Sequence, residues 1–172
     1  MKKVLAILLL LFFTPALISF DTHNYYNSYI EEYLPIAERY ERECGIPVSI
    51  QLAQAIAESG GGKSNIGKIA NNHFGIMAFS NWKGDVYKSK SGNWRKYESV
   101  EDSYCDHAEF LYEHYQHAVG KPASYWIKNC GGYGAKGYWK KLKSIILMYD
   151  LYKYDKISLE YDIEKWLIWR KS

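Results

Sequence analysis

The run Gln51-Leu-Ala-Gln-Ala-Ile-Ala-Glu-Ser-Gly-Gly-Gly constrains this chain more than any other part of it. Small and apolar residues of high helix propensity fill the run, and Ser49 in front reads as its opening. Ile50, Ala53, Ile56 and Ala57 form the expected buried side. Gly60-Gly61-Gly62 ends the helix abruptly, because glycine adopts the left-handed cap conformation at little cost. Glu58 is the only acidic residue in the stretch. It falls in the last turn, beside unpaired carbonyls and the negative end of the helix dipole. That dipole and partial burial both disfavour a carboxylate, so Glu58 is expected in its acid form. A neutral carboxyl is what a general acid needs to protonate a leaving sugar oxygen. The bland alternative is a solvent-facing glutamate at a helix end. The preference of a C-terminal turn for cations argues against it. Three residues without side chains would also let a bulky polymer come close.

The chain around this helix is mostly helical. Its 172 residues suffice for one domain with a core, and 48% hydrophobic against 24% charged residues excludes a disordered chain. A helix is predicted over 26–44, with Ile30, Tyr33, Leu34, Ala37 and Tyr40 on one face, a kink or restart at Pro35, and Gly45 as a left-handed cap. A short turn of helix follows at Asn65–Ala70. Residues 73–98 change character, with aromatic and β-branched runs broken by Ser80-Asn81, Lys83-Gly84 and Ser91-Gly92. They read as an antiparallel sheet of two or three strands. Helix returns at Ser99, again at about 122–129 behind Pro122, and again at about 138–150 with Leu142, Ile145, Ile146 and Tyr149. The expected architecture is mainly α with a small β-lobe, α+β in class, with a cleft between helices and lobe.

The first twenty residues carry Lys2-Lys3, an apolar run from Val4 to Phe13 and a break at Thr14-Pro15. This order is that of a secretory signal, residues 1–20, with an uncleaved anchor as the alternative. Export to the periplasm or cell wall is therefore expected, with no stable membrane span after cleavage. The formal charge of +3 falls to about +1 once Lys2 and Lys3 are set aside, which disfavours nucleic acid as a partner. Cys44, Cys105 and Cys130 leave at least one thiol unpaired. Cys105 reads as a buried thiol, and a Cys44–Cys130 bridge is open. His107, His114 and His117 read as partly exposed helix histidines rather than a zinc site, so no metal is expected.

A second carboxyl of interest is Asp102. It stands three residues after Ser99, the spacing of a capping box. Capping does not exclude chemistry, because a carboxylate at a helix start stays ionised. An acid kept neutral and a carboxylate kept charged are the usual pair of sugar chemistry. Aromatics gather nearby: Phe74, Trp82, Tyr87, Trp94, Tyr97 and Tyr133. Flat rings suit the apolar faces of sugars, and a small β-lobe also needs such rings for its own core.

Several ordered motifs resemble one known family. They are Tyr33-Leu-Pro-Ile-Ala, Gly45-Ile-Pro-Val-Ser-Ile, Gln51 to Gly60, Asn71-Asn-His-Phe-Gly-Ile, Trp82-Lys-Gly, Trp94-Arg-Lys-Tyr-Glu-Ser, Glu101-Asp-Ser-Tyr-Cys-Asp-His, Phe110-Leu, Gly132-Tyr133 and Met148 to Asp155. Together they resemble the glucosaminidases of glycoside hydrolase family 73 over residues 25–155, leaving 156–172 as a tail that could dock as a helix. The resemblance implies a lysozyme-like fold and hydrolysis of β-1,4 bonds after N-acetylglucosamine in peptidoglycan, without metal or cofactor, by a monomer. It places the catalytic acid at Glu58, the second acidic position at Asp102 and a tyrosine beside the cleft at Tyr133. Asn72, Phe74, Trp82 and Tyr97 are the expected substrate-binding residues. Either Asp102 activates a water from the opposite face, or the substrate's acetamido group attacks with Tyr133 stabilising it. Two alternatives stand beside hydrolysis: a lytic transglycosylase, and a non-catalytic wall-binding or assembly module. Gly61, where many members carry Trp or Ala, and the short loop Gly134-Ala-Lys-Gly depart from the family pattern.

Overall fold

The computed structural model describes residues 2–130 and 136–157, with side chains from Thr22 onward. Tyr133 and the tail from 158 lie outside the described residues. Two compact units are present, Met1–Glu32 and Tyr33–Ser172. The backbone is helical throughout Lys2–Cys44, helix α1, which therefore contributes to both. No restart occurs at Pro35, whose missing N–H costs only one ladder bond. Among the described residues no helix is long and apolar enough to cross a membrane.

In the second unit, α2 (Val48–Ser59) is the buried element. All residues from Val48 to Ile56 are buried, so the helix is an enclosed rod rather than an amphipathic one. Of the predicted buried stripe, Ala57 alone is half-exposed. α2 packs against α5 (Ala123–Asn129), α6 (Tyr138–Met148) and a 3-10 turn at Leu151–Tyr154. Leu52, Leu142, Ile146, Leu151 and Trp126 are fully enclosed, each large apolar side chain contributing roughly 1.5–3 kcal/mol.

Polar groups tie the end of α1, the turn after it and Asp155 to this helix. The Gln51 Nε2 amide donates to Ala37 O at 2.9 Å and Ile46 O at 2.8 Å. Ser49 is not the helix opening: α2 starts at Val48 behind Pro47. Instead the Ser49 N–H donates to Asp155 Oδ1 at 2.7 Å and its hydroxyl to Asp155 Oδ2 at 2.6 Å. A carboxyl from the far end of the unit thus satisfies the open end of α2, where anions are favoured. Glu41 acts similarly on the chain end, accepting the Lys156 N–H at 3.0–3.1 Å.

The β-lobe is a two-stranded antiparallel hairpin, β1 (Val86–Ser89) and β2 (Gly92–Arg95), with Val86 opposite Arg95 and Ser89 opposite Gly92. A single bridge, Met77 to Trp94, adds what the sequence offers as a third strand. The lobe hands over to α4 (Val100–His114), and α3 (Asn65–Ala70) lies against both strands. The Phe74 ring is buried between α4 side chains, parallel to His107 at 3.7 Å and edge-on to Tyr104 at 4.8 Å.

Several expectations are corrected. Cys44, Cys105 and Cys130 are free thiols, and Cys105 is half-exposed rather than buried. His107 is fully buried, not partly exposed, and His117 belongs to a 3-10 turn at Gln116–Ala118 rather than to the helix of His107. Pro122 occupies the cap position before α5.

Two stability predictions follow from buried titrating groups. Burial first, then the neighbouring Glu41 charge, pushes Asp155 up to about 7, against the opposing hydrogen bonds from Ser49. The unfolded carboxyl loses its proton near pH 4, so between about 4 and 7 the folded state binds the extra proton and rising pH favours unfolding. Urea unfolding across this window is expected to show the parent losing up to about 1.4 kcal/mol per pH unit relative to Asp155→Asn. His107 behaves oppositely. Burial pushes it down to about 3, so stability is lost as pH falls from about 6.5. Neither ring nitrogen has a hydrogen-bond partner among the described residues. His107→Phe keeps the stack on Phe74 and is expected to unfold later than the parent, with the gap widening below pH 6 in thermal melts.

Candidate active site

Glu58 sits in the last turn of α2 and is exposed, where the sequence reading has it partly buried. The turn around it is closely specified. Gly60 caps the helix at φ 64°, its N–H reaching back to Ile56 O at 3.0 Å. The Ser59 hydroxyl donates to Ala55 O at 2.9 Å and accepts the Gly62 N–H at 2.8 Å. At Gly62, φ is +78° and an added Cβ would lie 2.7 Å from His73 Nε2, so this glycine serves packing as well as access. The cation favoured at a helix C-terminus comes from α6: Lys141 Nζ donates to Ala57 O at 3.0 Å. Glu58 is therefore left facing outward from a rigid, capped end.

Asp102 is exposed at the start of α4, in the capping box its spacing predicts. Its Oδ2 accepts the Ser99 N–H at 2.9 Å and the Ser99 hydroxyl at 2.8 Å, while Ser99 Oγ accepts the Asp102 N–H at 3.2 Å. Among the described residues Oδ1 has no hydrogen-bond donor.

A groove of about 650 Å³ opens beside Asp102. Trp82, Gly84, Asp85, Lys96, Tyr97, Glu98 and Asn71 complete its lining. It brings together Trp82, Tyr97 and Asp102 from the predicted set; Glu58 does not line it. Asn71, at φ 50°, caps α3 and donates to Tyr97 O at 3.1 Å and Glu98 O at 3.0 Å, joining one groove wall to the helix before it.

Asn72 and Phe74 have different surroundings. Both are buried. The Asn72 amide donates to Ile76 O at 2.9 Å and Arg95 O at 2.8 Å and accepts the Ile76 N–H at 3.0 Å. Its hydrogen-bonding capacity is spent on folding the lobe, and Phe74 is spent on the core under α4.

Sequence reasoning passes over two groups that shape the groove, Asp106 and Arg95. Asp106, one turn beyond Asp102, accepts Arg95 Nη1 at 2.5 and 2.8 Å and the Tyr97 hydroxyl at 2.5 Å. Arg95 in turn lies 4.6 Å from the Trp82 ring. Burial, with the Asp106 hydrogen bond and charge added, raises the Tyr97 pKa and keeps its hydroxyl protonated. The i, i+4 spacing of Asp102 and Asp106 is the one signal in the sequence that pointed there.

Comparison with known proteins identifies the family. The family model described as Glucosaminidase: Mannosyl-glycoprotein endo-beta-N-acetylglucosaminidase matches residues 34–151. The autolysin of Enterococcus faecalis is 30% identical over 156 residues, which is 77% of this chain and 21% of that protein. The exo-glucosaminidase LytG of Bacillus subtilis is 31% identical over 142 residues, 69% of this chain and 49% of that protein. The chain thus spans about a fifth to a half of the length of these curated relatives. Among solved structures, the glycoside hydrolase domain of Salmonella typhimurium FlgJ aligns with a TM-score of 0.62 and 25% identity, over 79% of this chain and 94% of that one. With helices enclosing α2, a hairpin lobe beside it and a family match across most of the second unit, the chain belongs to the glucosaminidases of glycoside hydrolase family 73 and is a glycoside hydrolase of lysozyme-like fold.

Proposed function

We propose that this chain is an exported peptidoglycan hydrolase that cleaves the β-1,4 bond after N-acetylglucosamine. Glu58 acts as general acid and Asp102 as the base for water. The observation that carries this reading is a pair of exposed carboxyls in contrasting settings. Glu58 projects from the carbonyl-rich end of a buried helix, and Asp102 stands at a helix start on the rim of an aromatic groove, held through Oδ2 by Ser99. The name of a further relative, the peptidoglycan hydrolase FlgJ of Vibrio parahaemolyticus, supports peptidoglycan as substrate. The basic start and apolar run of residues 1–20 support export.

The chemistry balances with one water. A glycan strand lies over Glu58. Glu58 gives its proton to the glycosidic oxygen as the bond to the anomeric carbon breaks. Water adds to that carbon and passes its proton to Asp102; exchange with solvent restores both groups. Trp82, half-exposed, supplies a face for a sugar ring and Tyr97, almost wholly buried, backs it edge-on, with Asn72 bracing the lobe and Phe74 the core under α4. Tyr133 is the third proposed catalytic residue: it would stabilise the acetamido group in the alternative route, in which that group attacks instead of water.

Digestion of purified sacculi tests the assignment. Glu58→Gln is expected to clear them at least about a hundredfold more slowly than the parent. Equal clearing overturns the role of Glu58. Asp102→Asn is expected to lose about as much, whereas Ser99→Ala, which breaks the cap and keeps the carboxylate, costs only about 1 kcal/mol of stability. Full activity in Asp102→Asn would move the second step to the substrate's acetamido group. Mass spectrometry of the products is expected to find new reducing N-acetylglucosamine ends. Anhydro-muramic ends would make the enzyme a lytic transglycosylase, and binding without any cleavage would make it a wall-binding module.

A further inference from the structure

We propose that Asp106 is a positioning residue for substrate: it holds the aromatic wall of the groove in the orientation that receives a sugar ring. The proposal deepens the reading of the groove as a glycan site and rests on it.

The argument begins with what Asp106 does not need to do. Helix α4 is already fixed without it. The capping box closes its N-terminus, Tyr104, His107 and Leu111 are buried in the core, and Ser103 Oγ accepts the His73 N–H at 3.1 Å. The Asp106 carboxylate instead spends both oxygens on the β-lobe. Oδ1 and Oδ2 receive Arg95 Nη1, and Oδ2 also receives the Tyr97 hydroxyl. Charge-assisted bonds of this length are the strong and directional kind.

Those two partners set the wall. Tyr97 itself lines the groove. Trp82 stands beside it, edge-on at 5.8 Å between ring centroids, with the Arg95 guanidinium carbon 4.6 Å from the Trp82 ring centroid. The indole N–H is pinned to Asp85 O at 2.9 Å. At Gly84 any Cβ would come within 2.5 Å of the indole, so the ring rests directly on backbone. The ring is thus held from three sides, and one of those sides is Arg95, whose guanidinium is aimed by Asp106. Without the carboxylate, a half-buried guanidinium loses its anion and the Tyr97 hydroxyl loses its acceptor. The Trp82 ring then keeps only two of its three restraints, and the Tyr97 ring loses the bond that fixes its hydroxyl end. Sugar stacking requires those planes to be in place before binding, so the loss falls on affinity rather than on the proton transfers at Glu58 and Asp102.

The test uses the full chain and soluble glycan strands released from sacculi. Asp106→Asn is expected to raise KM about tenfold while kcat stays within about threefold of the parent. Tyr97→Phe, which keeps the ring and removes only the hydroxyl, is expected to raise KM about threefold, and the double variant is expected to be no worse than Asp106→Asn alone. Multiplying losses in the double variant, an unchanged KM, or a hundredfold fall in kcat at constant KM would each overturn the proposal. Tyr97→Phe decides the matter on its own should Asp106→Asn fail to fold. A substrate-free readout separates this proposal from the reading it rests on. The Trp82 contribution to fluorescence, taken as the difference from Trp82→Phe in each background, is expected to shift to the red in Asp106→Asn. If that shift appears while Glu58→Gln clears sacculi at the parental rate, the wall is held as proposed and the catalytic assignment fails instead. An unshifted Trp82 signal overturns the positioning role whatever the activity.

Discussion

The structure depends on the burial of α2 along nearly its whole length. A helix enclosed from Val48 to Ile56 must have its first N–H groups and its polar side chains satisfied from inside the protein. Asp155 does this at one end through Ser49, and the Gln51 amide does it along the side through Ala37 and Ile46. These bonds draw together the end of α1, the whole of α2 and the last turn before the tail. The opposite end of the rod is the only part that reaches solvent, and it carries Glu58. Rigidity at the buried end becomes accuracy at the exposed one, because a helix anchored by packing along its length does not let its last turn wander.

The β-lobe follows a different logic. It is too small for a core of its own, since an isolated hairpin is marginal in water. It borrows stability by burying Phe74 under α4, by spending the Asn72 amide on Ile76 and Arg95, and by tying Arg95 and Tyr97 to Asp106. The aromatics of this region therefore divide. Phe74 is consumed by the interior, Trp82 stands half-exposed on the groove, and Tyr97 borders the groove while being almost wholly buried. One composition signal, an aromatic-rich stretch, has two physical outcomes.

Glu58 also shows why glycine matters beside it. The run at 60–62 takes three left-handed conformations in succession, and the third lies against His73. The chain is turned tightly out of the way of the carboxyl, and the Lys141 ammonium takes the helix-end carbonyl at Ala57.

The order of elements, the Gly45 and Gly60 caps, the Ser99–Asp102 capping box, the hairpin and the isolation of Glu58 at a helix end were all legible in the amino-acid order. Each depends on neighbours within a few residues, through hydrogen-bond reach or backbone conformation. Partners that meet across the fold were not legible. Nothing local links Ser49 to Asp155, or Asp106 to Arg95 and Tyr97, and nothing local says that His107 is sealed while Glu58 is open. Burial and long-range pairing are properties of how elements pack, so only the tertiary structure decided which aromatics build the core, which face the groove, and which carboxyl holds the wall between them.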